Sequence, residues 1–316
     1  MLKFIARRLF LAVVTLAILL VIITAIPNLA PGDPARKVAG GTASPERLAQ
    51  VTEDLGLNDS IPQQLANTAK SVLTLDFGTS AAGQPVSDIL WSSLGNSTKL
   101  VVLSLVLIVP LSILGGLIAA FKKDTWLDRV IVNVGVAFSA VPDFVAGVFL
   151  LAFLGVPHEF FKTQASAPGE GPITQIQHLL LPALAVLAVY FGYLARITRA
   201  GTINALDADY TRTAFMRGLS TRKVFRNHVA RNALQPTVAV LGTQLGYLFG
   251  GMVALEKVFN YPGVGKMILD AVEGANYPAL RAGVLTVAII YMLATLAADL
   301  LVAYMNPRTR QSLGDN

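Results

Sequence analysis

Apolar positions in this chain come in long blocks, separated by polar stretches rather than woven among them. Residues 9–26 form an unbroken apolar run, and further runs fill 98–121, 130–156, 179–197, 237–258 and 283–305. Each is close to or above the roughly 20 residues an α-helix needs to cross a bilayer core. Inside lipid a backbone must bond to itself, so such runs are helical. The pattern predicts an all-α, polytopic transmembrane helix bundle with six spans. The first run exceeds the roughly 7–15-residue core of a signal peptide, and Pro27-Asn28-Leu29-Ala30 is a poor cleavage site, so it is expected to stay as span one. The third run is interrupted by Pro142-Asp143.

The polar stretches set the domains and the topology. The reading is a short N-terminus with span one at 1–27, an extracytoplasmic segment at 28–97, and a five-span core at 98–316 with a polar loop at 199–236. Within 28–97, Gly32-Asp33-Pro34 signals a turn, and Ser44-Pro45-Glu46 signals a helix start with proline in first position. Asp76-Phe77-Gly78 and Gly83-Gln84-Pro85 add loop signals, and acidic residues outnumber basic ones there. Lys122, Lys123 and Arg129 follow span two, and seven Lys or Arg residues occupy the 199–236 loop, from Arg199 to Arg231. Basic loops stay on the cytoplasmic side. Both termini are therefore expected inside, and 28–97, 158–177 and 259–281 outside.

Composition agrees. The chain is 54% hydrophobic and 14% charged, with a mean hydropathy of +0.60, against about 25% charged in average soluble domains. The net charge of +6 reflects the basic loops rather than affinity for nucleic acid. The absence of cysteine excludes disulfides, thiol catalysis and thiolate metal sites.

The stretch at 209–236, DYTRTAFMRGLSTRKVFRNHVARNALQP, is too polar to span and too patterned to be a plain connector. A helical pattern runs to Arg217 and breaks at Gly218. Ser220 is placed to cap a second helix through its hydroxyl. Ala214 and Gly218, four apart, would share one helix face and leave a shallow dent for another protein. Val224, Phe225 and Val229 would share the apolar face of the second helix, with Arg222, Lys223 and Arg226 kept wet.

This stretch resembles the conserved cytoplasmic loop of ABC-importer permeases, and most of all the B-type permeases of the dipeptide, oligopeptide and nickel branch. The matching residues are Asp209-Tyr210, Arg212-Thr213-Ala214, Arg217-Gly218-Leu219-Ser220, and Arg231-Asn232-Ala233-Leu234 with Pro236. The chain departs from the general pattern at Arg212-Thr213, where Glu-Ala is usual, at Gln235, and at Asn306 before Pro307. Residues 256–265, EKVFNYPGVG, resemble the last external loop of that family. The resemblance implies a type I importer permease fold in a prokaryotic cytoplasmic membrane. It also implies a second permease as hetero-dimer partner, two ATPase subunits that bind ATP and Mg, and an extracytoplasmic binding protein. By it, residues 209–220 form the ATPase-coupling loop, and Phe259, Asn260, Tyr261, Pro262 and Gly263 face the binding protein. The cargo it implies is a di- or oligopeptide, with nickel or another small solute as the alternative.

The single Gly-Lys pair, Gly265-Lys266, is followed by Met267, so no phosphate-cradling G-x-x-x-x-G-K-[ST] loop exists. His158, His178 and His228 lack metal-site spacing, and no G-x-S-x-G occurs. No metal, catalytic residue or cofactor is expected in this chain. Asp143 and Asp299 lie within apolar runs, where a carboxylate is costly. Asp143 reads either as an acid lining the translocation path or as the cap of a helix restarting after Pro142. An ion-coupled secondary transporter is the rival class; it calls for internal inverted repeats and several intramembrane charges.

Overall fold

The computed structural model describes residues 2–29, 32–40, 42–80, 83–158, 160–162 and 171–305. The tail from Asn306, and part of the 158–177 stretch, lie outside these. The described chain is α-helical, with one isolated bridge between Thr79 and Pro85. The helices are α1 (Leu2–Leu29), α2 (Pro34–Ala39), α3 (Pro45–Asp54), α4 (Ile61–Thr74), α5 (Val86–Phe121), α6 (Trp126–Ser139) and α7 (Asp143–Leu150). After them come α8 (Pro172–Asp207), α9 (Asp209–Met216), α10 (Thr221–Val224), α11 (Ala230–Ala233), α12 (Gln235–Gly251), α13 (Val253–Val258), α14 (Val264–Glu273) and α15 (Tyr277–Met305). Leu151–Gly155 and Phe225–Val229 are π-helical turns.

Among the described residues, four helices are long and apolar enough to cross a membrane, over Ile5–Leu29, Val86–Phe121, Pro172–Asp207 and Tyr277–Leu301. A fifth crossing element is broken: Trp126–Ser139 and Asp143–Gly155 meet at 104°. Proline explains the break. Pro142 has no N–H to give a preceding turn, and its ring pushes Val141 out of the helical region. α12 has 17 residues, at the lower limit for a span.

Several expected boundaries move. The helix of span two begins at Val86, not at 98. That of span four runs on through 199–207, which was expected to be loop. At 36 residues each, these helices are about 54 Å long, well beyond a hydrocarbon core of about 30 Å. Apolar runs mark only the lipid-crossing part of a helix; polar extensions continue it unannounced. Span five ends at Gly251 rather than 258, and α13 follows as a separate turn. The expected external loop at 259–281 contains a full helix, α14, and α15 starts inside it at Tyr277.

The chain divides into two compact units. One comprises Leu2–Thr98 and Phe249–Leu293. Its short helices start as their sequences dictate. Asp33 accepts from the Ala35 and Arg36 N–H groups, Ser44 accepts from Arg47 N–H, and Pro34 and Pro45 take first position. Their apolar faces close on Ala35, Val51, Leu55 and Tyr277. A second core joins Ile23, Val86, Leu90, Met267, Leu280 and Leu285. α1 meets α4 through polar contacts: Thr24 Oγ1 donates to Thr68 Oγ1 at 3.3 Å, and Asn28 Nδ2 to Gln64 Oε1 at 3.0 Å.

The other unit comprises Lys99–Leu248 and the chain from Ala294 on. α6, α7 and α11 pack along α8. α6 and α8 touch backbone to backbone at Gly135 and Gly192, where a Cβ on Gly192 would overlap the Gly135 carbonyl. Small residues permit such crossings in membrane bundles. The same pair of helices is joined by an ion pair. Arg199 donates Nε to Asp128 Oδ1 and Nη2 to Asp128 Oδ2, both at 2.6 Å.

Candidate functional site

The polar stretch at 209–233 folds into a small helical platform on the end of α8. Extended Ala208 (φ −70, ψ 145) turns the chain out of α8 and into α9. Thr211 Oγ1 donates to the Ala205 carbonyl at 2.7 Å, satisfying one of the orphaned carbonyls of the last α8 turn. α9 ends at Met216 with Arg217 at its cap, and Gly218 takes φ +77, a left-handed conformation that glycine adopts without steric cost. Extended Ser220 then opens α10. The π turn at Phe225–Val229 widens the helix. That brings Val229 back to the face of Val224 five residues earlier, which an ordinary α-turn would not do. Ala205, Ala214, Val224, Val229 and Ala233 thereby form one buried core, edged by Leu206, Leu219 and Phe225. Gly201 lets the Ala233 carbonyl lie against α8.

Two expectations about this stretch are corrected. Ala214 and Gly218 do not share a helix face, because α9 ends at Met216. Ala214, 4% exposed, points into the platform's own core rather than into an outward dent. Ser220 stands at the cap position, but its side chain makes no capping bond. What faces outward is different. Asp209, Tyr210, Arg212, Thr213, Phe215, Met216, Arg217 and Gly218 are exposed, and Met216 is 80% exposed. Leu219 is half-buried beneath them.

The second expected site, 259–263, is built around a carboxylate. Glu256 is 2% exposed. Ser97 Oγ donates to its Oε1 at 2.6 Å, and Lys266 N–H donates to Oε2 at 3.0 Å. Ser97 Oγ in turn accepts from Val264 N–H at 2.8 Å. A Cβ on Gly263 would overlap the Glu256 carboxylate, so the glycine is required by that close approach. Asn260 takes φ +46, Tyr261 OH donates to the Asn96 carbonyl at 2.8 Å, and Asn96 Nδ2 donates to the Pro262 carbonyl at 3.1 Å. The residues therefore part company. Phe259, Tyr261 and Gly263 are buried, while Asn260 and Pro262 stand on the surface.

Asp143 is the first residue of α7, and its Oδ1 accepts from Phe144 N–H at 2.7 Å. That bond satisfies one of the free donors of the restarting helix.

The family model of the binding-protein-dependent transport system inner membrane component matches residues 112–311. That match covers more than half of the chain. The chain belongs to this family of binding-protein-dependent transport permeases. The family's N-terminal model matches residues 1–110. A probable peptide ABC transporter permease of Sinorhizobium fredii is 33% identical over 309 residues, covering 97% of this chain and 99% of its own. The glutathione transport system permease GsiC of Escherichia coli is 33% identical over 311 residues, covering 98% and 99%. A chain from the crystal structure of an amino acid ABC transporter with histidines matches with a TM-score of 0.45 at 20% identity, over 70% of this chain and 94% of that one.

The permease is a multi-pass, non-catalytic membrane subunit of an ABC importer, and its family carries no cofactor of its own. Among its described residues, no three His, Cys, Asp or Glu side chains gather where a metal ion could sit. Sequence reasoning missed two groups that organise the permease. Glu256 lies in the run expected to be span five, and an acid in an apolar run, like Asp143 and Asp299, is the signal that marks it. Asp128 was missed because it stands among the residues of a basic loop, and nothing local tells that its partner lies 71 residues away.

Proposed function

We propose that this permease forms half of the translocation path of an ATP-driven importer for short peptides. The supporting observation is full-length similarity, at 33% identity, to proteins named for peptide and glutathione transport; glutathione is itself a tripeptide. A second permease completes the path. Two ATPase subunits, which hold ATP and Mg, sit on its cytoplasmic side, and an extracytoplasmic binding protein delivers the cargo. The termini and the basic loops lie in the cytoplasm of a prokaryotic cell, and residues 28–97 lie outside.

The platform at 209–220 is the ATPase-coupling element. Its hydrophobic interior ties it to α8, so a push on α9 reaches a helix of 36 residues as one body. The exposed Asp209, Arg212, Thr213, Met216 and Arg217 are the contact residues. Tyr210, Ala214, Gly218, Leu219 and Ser220 shape the platform that presents them. Asn260 and Pro262 touch the extracytoplasmic binding protein, with Phe259, Tyr261 and Gly263 holding the turn. Asp143 lies along the path as a helix cap.

Reconstitution with the partner subunits in vesicles tests this reading. ATP-dependent accumulation of labelled di- and tripeptides, only with binding protein present, is expected. Accumulation of nickel or free amino acids without any peptide uptake would overturn the cargo, and uptake driven by an ion gradient without ATP would overturn the mechanism.

A further inference from the structure

Arg281 lies in the second turn of α15. Its Nε and Nη2 are both buried, and neither has a hydrogen-bond partner among the described residues. Those nitrogens make up the edge of a guanidinium that grips the two oxygens of a carboxylate. Arg199 shows that edge in use, with both oxygens of Asp128 at 2.6 Å. Arg281 has the same edge and no acid on it. Arg281 is half-buried as a residue, and a guanidinium edge left unbonded inside the protein carries an uncompensated desolvation cost.

Arg281 also lines a cavity of about 190 Å³ whose wall is largely polar, shared with Glu53, Asp59, Gln64, Asn67 and Ser71. Every one of these residues belongs to the same unit. Much of the uncharged polar wall is already committed. Gln64 Nε2 donates to the Asp59 carbonyl at 3.1 Å, and Asn67 Nδ2 donates to Asp59 Oδ2 at 3.1 Å. The charged groups are of both signs: one guanidinium and two carboxylates. A simple anion would meet the field of Glu53 and Asp59, and a simple cation would meet Arg281. A molecule carrying both charges meets neither objection. The volume is below the roughly 300 Å³ at which drug-sized pockets begin, so the ligand is small.

We propose that this cavity binds a small zwitterion, an α-amino acid or dipeptide, with its carboxylate on Arg281 and its ammonium group toward Glu53 and Asp59. The Arg281 Nε and Nη2 are closed off as the side chain stands, so binding requires the long side chain to rotate and turn that edge into the cavity. The proposal stands whether or not the cargo is a peptide. On the proposed topology it opens on the extracytoplasmic side.

The test uses the full permease, purified with its partner permease and ATPases but without binding protein. Calorimetric titration with glycylglycine, glycine, acetate, methylammonium and inorganic phosphate gives the affinities. Saturable binding of glycylglycine or glycine is expected, with acetate and methylammonium at least about tenfold weaker. Arg281→Gln should abolish one glycylglycine site. Arg281→Lys keeps the charge without the two-pronged edge, and should weaken that site by about tenfold or more. The double variant Glu53→Gln/Asp59→Asn, which leaves the guanidinium in place, should weaken glycylglycine but not acetate. No saturable zwitterion binding, equal binding in the Arg281→Lys protein, or phosphate binding as tight as glycylglycine would each overturn the proposal.

Discussion

Glu256→Ala probes the carboxylate at the centre of the 259–266 turn. The substitution leaves the buried Ser97 hydroxyl and the part-buried Lys266 N–H without the acceptor they have at 2.6 and 3.0 Å. Each buried donor left unsatisfied costs about 1–3 kcal/mol. Water entering the vacated space recovers part of this, because the site is polar. The net loss should be about 2–4 kcal/mol in the local stability of the turn. In exchange terms that is a drop of about 30- to 700-fold in the protection of amides at Val264, Gly265 and Lys266. Hydrogen exchange with mass spectrometry on the purified complex reads it directly, with the platform at 209–233 as the internal reference. The turn should open while the reference stays protected, and affinity for loaded binding protein should fall because Asn260 and Pro262 lose their mount. Unchanged protection at 264–266 would refute the reasoning, since it would mean the carboxylate does not hold the turn.

Other outcomes follow from the geometry. Asp128→Ala or Arg199→Ala, each breaking a largely buried two-pronged pair (5% and 24% exposed), should destabilise the permease by about 3–5 kcal/mol, and the double variant should recover part of this in a melting experiment. Asp143→Asn should melt like the parent and keep uptake, because Asn can also accept from Phe144 N–H, whereas Asp143→Ala should lose about 0.5–1.5 kcal/mol, the worth of one hydrogen bond; abolished uptake with Asn would make the acid itself essential to the path. Asp270 is tugged upward by burial, but hydrogen bonds from Lys266 and Lys257 outweigh this and hold its carboxyl below the ordinary value. Its stabilising effect is therefore present above the unfolded-state value and fades as pH falls through the folded one. Melting between pH 7 and 5 should show no loss from this group, and added salt should weaken it because the cluster is exposed.

The bundle was legible because lipid enforces one rule, long apolar helices, that composition cannot hide. Pro142 marked the break in the third crossing, though not its 104° angle, which depends on how α6 and α7 pack along α8. Gly218 was legible as a breaker because positive φ has a residue signature. The inward turn of Ala214 was not. It depends on where α9 stops and on the π turn that brings Val229 under it, and neither is written in local periodicity. Polar extensions such as 86–97 and 199–207 escaped because an amphipathic helix outside the membrane carries no hydropathy signal. Glu256 and Ser97, 159 residues apart, meet only through tertiary folding, and sequence spacing is silent on such pairs.

The claim that the 209–220 platform is the surface on which the ATPases act is open to direct measurement, since the native chain has no cysteine. A single cysteine at Met216, the most exposed large apolar side chain of α9, carries a short photoactivatable cross-linker in the assembled transporter. The account predicts cross-linking to an ATPase subunit, altered between nucleotide-free and ATP-bound states, while a cysteine at Asn260 cross-links to the binding protein instead. No adduct between Met216→Cys and either ATPase, with Asn260→Cys cross-linking to an ATPase, would contradict it.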